Sequence, residues 1–156
     1  FIDREIESVN PKVQVTGVYL DEAKIFGLKP DLILDLGLKK VIADTKYKLV
    51  YSNDLDPKCG VSQSDLYQMI SYAIRFSISE VKLFYPNSIA ATRLENFDIK
   101  IMDTFAEGKE IKVSAYQLPI IDCCLTSDEI KSHNNFIHSF NNLKNTLIKI
   151  LDEILY

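Results

Sequence analysis

Residues 28–85 constrain the fold most, because the hydrophobic pattern changes period repeatedly within that stretch. Leu28–Leu36 and Lys40–Tyr47 are two apolar, β-branched runs set about Gly37, the pattern of two strands joined at a turn. Asn53–Gly60 is a loop by its Asn, Asp, Pro and Gly content. A helix is expected from about Ser62 to Ser77. Ser62 serves as N-cap and Asp65 sits at the third helical position, while Val61 and Leu66 occupy the two staple positions. Val81–Tyr85 is then a short continuous apolar run, a buried strand that Pro86-Asn87 should end. Strands on both sides of a capped amphipathic helix make an α/β domain.

The flanking stretches are less sharply drawn. Phe1–Val9 has the spacing of a helix tail ended by Asn10-Pro11. Val13–Leu20 alternates as a strand, Asp21-Glu22 is a turn, and a short strand is expected near Lys24–Phe26. Two weaker strands, Phe97–Phe105 and Glu110–Gln117, are separated by Gly108. Asp128–Leu155 is a long amphipathic helix with Phe136, Phe140, Leu143, Leu147, Leu151 and Ile154 on one stripe. Core packing is the expectation for that stripe, with a docking face as the alternative.

Length and composition set outer bounds. A chain of 156 residues suits one domain, 1–156, and its Phe start suggests the C-terminal part of a longer protein. No apolar run approaches the roughly 18 residues of a membrane helix, so no membrane partner is expected. The three cysteines, two of them adjacent at Cys123 and Cys124, form neither a disulfide framework nor a zinc spacing. That usage fits a reducing cytoplasm. A net charge of −4 argues against a general nucleic-acid coat protein, yet a site for a divalent cation has to be locally acidic.

The chemistry-bearing residues cluster on the two strands around Gly37. Asp31 begins the first, after Lys29-Pro30, and Asp44-Thr45-Lys46 ends the second. Strand residues two apart point the same way, so Asp44 and Lys46 share a face. Pairing of the two strands as a hairpin brings Asp31 toward Asp44. Two carboxylates and the Thr45 carbonyl form a hard oxygen set for magnesium, or for manganese in its place. Lys46 is then placed to hold an attacking water or to offset charge building on a phosphate. On the following helix, Gln68 and Tyr72 are four apart and therefore neighbours. Helical spacing puts Leu66, Met69, Ile70, Ala73 and Ile74 on one stripe, with Asp65, Gln68 and Tyr72 opposite. The plain alternative is a pair of salt bridges on a solvated strand edge beside a solvated helix face.

The string Lys29-Pro30-Asp31, Ile42-Ala43-Asp44-Thr45-Lys46-Tyr47-Lys48, Gln63 to Ala73, and Leu83 to Pro86 resembles the C-terminal nuclease domain of the McrC family. These are cleavage subunits of modification-dependent restriction systems. The resemblance implies a PD-(D/E)xK restriction-endonuclease-like core, a central mixed sheet flanked by helices. It implies magnesium-dependent cleavage of double-stranded DNA, driven by a McrB-like AAA+ GTPase motor. Carried across, Asp31 and Asp44 match the metal-binding acids, Lys46 the catalytic lysine, and Gln68 the helix glutamine with Tyr72 as its partner. Tyr72 and Lys48 are the supporting or DNA-binding positions. Related nucleases carry a metal-binding Glu on the first core helix; neither Glu5 nor Glu7 sits in such a motif, so that residue is expected before Phe1. The alternatives are a RecB-like repair nuclease, or a non-catalytic interaction module that keeps the nuclease fold.

Overall fold

The computed structural model describes residues 1–48, 57, 58, 60–88, 97–103, 109–121 and 133–156. Most of the loop expected at Asn53–Gly60 lies outside these, as do all three cysteines and Gly108. The elements run α1 (Ile2–Glu5), β1 (Asn10–Val13), β2 (Val18–Tyr19), β3 (Gly27–Leu28), β4 (Leu32–Asp35), β5 (Lys40–Thr45), α2 (Gln63–Phe76), β6 (Glu80–Ser88), β7 (Phe97–Asp103), β8 (Lys109–Ile121) and α3 (His133–Leu155). Six strands make one mixed sheet in the order β1-β4-β5-β6-β8-β7, and β2 and β3 form a separate ribbon. Among the described residues no helix is long and apolar enough to cross a membrane.

The expected hairpin is present. β4 and β5 pair antiparallel, Leu32 opposite Ala43 through Asp35 opposite Lys40, and Gly37 turns at φ +80°. That left-handed conformation suits glycine because no Cβ stands in the way. From β5 the chain crosses over through α2 to β6, which pairs with β5 in parallel, Asp44 opposite Leu83. The crossover explains the two kinds of apolar pattern. β6 lies between β5 and β8 and is covered on both faces, so Val81–Tyr85 is buried throughout, as in parallel strands; Lys82 interrupts the apolar run and is itself buried, its ammonium donating to Glu80 and to the Tyr116 hydroxyl.

Each face of the sheet has its own core. On one, Met69, Tyr72 and Ala73 of α2 pack over Ile33, Ile42, Val81, Leu83 and Val113. On the other, Leu151 and Leu155 of α3 pack with Ile6, Val9, Leu34, Val41, Phe84 and Tyr116. The stripe on α3 is therefore divided: its C-terminal end is core, whereas Phe136 and Phe140 are about half exposed.

Several sequence expectations are corrected. The first helix stops at Glu5, and Asn10-Pro11 opens β1 instead of ending a helix. Pro11 is tolerated because β1 is an edge strand, where a missing N–H can face away from the ladder. The expected strand Val13–Leu20 is broken by positive φ at Gln14 and Gly17, giving β1 and β2. The strand expected at Lys24–Phe26 is displaced to Gly27–Leu28. The Asp21 carboxylate accepts the N–H groups of Ile25 and Phe26 and ties that stretch into a loop instead. Finally, β6 runs through Pro86 to Ser88. Its ladder with β5 ends at Phe84, so beyond that residue it pairs only with β8 and a proline can be accommodated.

Candidate active site

The ladder between β4 and β5 ends at Leu32–Ala43, and the next opposed positions are Asp31 and Asp44. Each strand end holds the carboxyl of the other. Oδ2 of Asp31 accepts the Thr45 N–H at 2.8 Å and the Thr45 hydroxyl at 2.6 Å. In return, the Asp31 backbone lies close enough to the Asp44 carboxyl to lower its proton affinity. The freed backbone groups at the ladder's end are thereby satisfied by side chains instead of by a further backbone pair.

Asp44 is 4% exposed, one of the few buried charged residues described. Burial drives its pKa above the ordinary 3.8, the Lys46 ammonium opposes this, and the nearby Asp31 charge adds to it. Lys46, on the same face, lies 2.5 Å from Asp44 Oδ2 and donates to Gln68 Oε1 at 2.6 Å. Gln68 donates in turn to the Tyr72 hydroxyl at 2.8 Å, and Tyr72 donates to the carbonyl of Lys29 at 3.2 Å. A chain of contacts thus runs from Asp44 through Lys46, Gln68 and Tyr72 back to the residue before Pro30. Burial raises the Tyr72 phenol above 10, so it stays a neutral donor.

The expected division of α2 into an apolar stripe and an opposite polar side does not hold. Asp65 and Tyr72 are buried together with Met69 and Ala73, while Ile74 is 46% exposed. The inward polar groups are met by polar groups from the strands, which helix spacing cannot reveal. Asp65 pairs with Lys48 and accepts the Tyr85 hydroxyl at 3.1 Å. Lys48 also donates to Ser62 Oγ at 3.2 Å, and Ser62 caps the helix by accepting the Asp65 N–H at 3.2 Å. The cap was legible in the sequence; the anchor formed by Asp65, Lys48 and Tyr85 was not. Its one signal is Tyr85 at the end of an apolar run, since a buried phenol seeks an acceptor. Lys48 accordingly belongs to this anchor in the folded chain. Glu5 pairs with Lys144 of α3 at 2.7 Å and Glu7 is exposed.

Hard oxygen donors dominate the site. Among the described residues no group of three or more His, Cys, Asp and Glu gathers at one point. A set of two carboxylates is nonetheless what magnesium commonly takes while keeping waters. A buried carboxylate whose proton affinity is raised, beside a second carboxylate, has an electrostatic demand for a cation. The residues present therefore fit a divalent metal.

Comparison with known proteins agrees with the sequence resemblance. Residues 4–86 match the model of a family described as McrBC 5-methylcytosine restriction system component. Among solved structures, the chain is similar to one in a refined half-complex from a tetradecameric assembly of Thermococcus gammatolerans McrB AAA+ hexamers with bound McrC. Identity there is 20% and the TM-score 0.52, over 91% of this chain and 30% of the other, so the likeness shows the fold. The present chain spans under a third of that chain's length. None of the curated proteins matches.

Proposed function

The chain belongs to the family of McrBC 5-methylcytosine restriction system components, and on that premise we propose that it is the metal-dependent endonuclease domain of such a system, with a PD-(D/E)xK active site that hydrolyses DNA phosphodiester bonds. The observation supporting this most directly is the meeting of Asp31 and Asp44 at one strand end, with Lys46 at 2.5 Å from Asp44. A binding module has no need of two acids and a lysine gathered at one point.

Asp31, Asp44 and the Thr45 carbonyl would hold magnesium or manganese. A metal held there would supply polarisation of a phosphoryl oxygen and make a water easier to deprotonate. The chain's own residues do the rest. Lys46 brings an ammonium to where negative charge grows on the phosphate, an interaction stronger in the transition state than in the ground state. Gln68 fixes the Lys46 ammonium from the helix side, and Tyr72 fixes Gln68. The substrate is double-stranded DNA and the partner a McrB-like AAA+ GTPase motor. The family match supports the motor assignment, and the compartment proposed with it is the cytoplasm.

The test is Lys46→Ala in the full-length protein, assembled with its motor and given closed circular methylated DNA. Wild-type protein should cut the circle in the presence of magnesium. The variant should keep its circular dichroism spectrum and lose cleavage by about 100-fold or more. Undiminished cutting by the variant would remove Lys46 from the mechanism. A circle left intact by wild type, with linear DNA degraded from its ends, would point to an end-dependent nuclease instead.

A further inference from the structure

Thr45 lies between two residues whose side chains point to the α2 face of the sheet, so its own side chain starts from the opposite face. It nevertheless engages the site. At the strand end its hydroxyl reaches Oδ2 of Asp31 at 2.6 Å, and its N–H meets the same oxygen at 2.8 Å. Two donors from one residue converge on one carboxylate oxygen. Among the described residues no hydrogen bond falls on the other oxygen, Oδ1.

We propose that the Thr45 hydroxyl is a positioning residue that sets the rotamer of Asp31 and so raises the affinity of the Asp31–Asp44 pair for a divalent cation. This rests on the reading of those two acids as metal ligands, and it concerns a different atom of Thr45 from the carbonyl assigned to the metal above. The physical reason is preorganisation. A free aspartate at a strand end turns about two side-chain bonds, and a cation must stop both rotations on binding. With Oδ2 tethered twice to the neighbouring strand, that ordering is done during folding, and Oδ1 is left as the oxygen to present. A backbone N–H alone constrains one direction. The added hydroxyl, at a shorter distance, fixes the plane of the carboxyl as well. Partners that orient a metal ligand in this way typically change affinity by about 10–100-fold. Because Thr45 is exposed and water competes for the same oxygen, the effect belongs near the lower end, about tenfold.

The experiment is a calorimetric titration of the metal-free full-length protein with manganese alone, without DNA. Thr45→Val is close to isosteric, keeps the N–H and removes only the hydroxyl. It also suits a strand, so the fold should survive, and near-ultraviolet circular dichroism checks this. Its manganese affinity should fall about tenfold, and Thr45→Ser should restore most of the loss. A merely structural role for Thr45 would lower thermal stability together with affinity, and Thr45→Ser, which keeps the hydroxyl on a smaller side chain, would not restore the affinity. Wild-type affinity in Thr45→Val, with affinity lost in Asp31→Asn, would overturn the proposal and leave the two acids standing as ligands. Absence of manganese binding by wild type would overturn both.

Discussion

Two carboxylate–lysine pairs sit on one face of the sheet, and they are opposites in character. Asp44–Lys46 and Asp65–Lys48 use the same residue types, and both lysines follow from the same strand, two residues apart. Both acids feel burial as the largest influence on their proton affinity, and in both it acts upward. At Asp44 burial wins, helped by the charge of Asp31, and the pKa ends above 3.8. At Asp65 the Lys48 ammonium, the Ser62 hydroxyl and the Tyr85 phenol together overcome it, and the pKa ends below 3.8. Burial and the Asp31 charge tip Asp44 upward against few donors, while more donors tip Asp65 downward. Asp65 anchors a helix, and Asp44 keeps the character that a proposed cation ligand needs.

That contrast predicts opposite trades between stability and activity. The largest effect should come from Asp44→Asn, which removes one of the two acids proposed to hold the metal and should lower the proposed magnesium-dependent cleavage by at least about 100-fold. Its stability should fall less than that of Asp65→Asn. A carboxylate whose folded pKa is raised contributes stability below its unfolded value and loses it as pH rises through the folded value, so at neutral pH an ionised Asp44 is a cost, and its removal offsets the loss of the Lys46 counter-charge. A melting temperature at pH 7 close to that of wild type is expected. A drop as large as that of Asp65→Asn would mean that Lys46 compensates Asp44 fully, and the comparison would break.

Asp65→Asn should show the reverse. It leaves the Lys48 ammonium without its counter-charge and the Tyr85 phenol with a weaker acceptor, costing about 1–3 kcal/mol in urea unfolding. The two acids proposed to bind metal stay in place, so manganese affinity should remain close to wild type. Loss of that affinity with unchanged stability would assign Asp65 to the chemistry and not to the anchor.

The smallest effect is in the pH dependence. Asp65 has a depressed folded pKa, so its contribution is present above about pH 4 and is lost as pH falls toward the folded value. Wild-type stability should drop more steeply below pH 4 than that of Asp65→Asn in a denaturation series. Glu80 should behave like Asp65. Burial raises its pKa, but Lys39 and Lys82 outweigh this and leave it below 4.5. The residual acid slope in the Asp65→Asn variant would report it.

The sequence made one of these two pairs visible and hid the other. Asp31, Asp44 and Lys46 could be placed together because a two-strand unit about Gly37 has one natural register and strand side chains alternate strictly. The cap at Ser62 was readable because it is local. Helix spacing sets Asp65 and Tyr72 opposite the apolar stripe because it registers polarity and not the identity of what lies beneath. Their partners, Lys48, Tyr85 and the Lys29 carbonyl, come from other elements and meet them only in the folded chain. Likewise, nothing in the string Val13–Leu20 announces that Gln14 will take a positive φ, which is set by its N–H reaching the Asp31 carbonyl at 2.8 Å. The strand through Pro86 was missed for a related reason. Proline is disfavoured in a strand paired on both sides, and only the topology shows that β5 has already ended at that point.

The crossover from β5 through α2 to β6 has a consequence for the order in which the molecule comes together. Asp31 meets Thr45 across 14 residues, within a hairpin whose turn is already suited to it. Lys46 meets Gln68 across 22, and Tyr72 meets Lys29 across 43, and both contacts wait for the helix to dock. Short-range contacts form with less loop entropy to overcome, and chains fold from the N-terminus as they are made. Loop closure alone therefore favours the Asp31–Thr45 contact, and Lys46 beside Asp44 on the same strand, over the contacts with Gln68 and Tyr72. The hairpin by itself can gather both acids and the lysine, whereas the hold of the helix on that lysine depends on completion of the sheet.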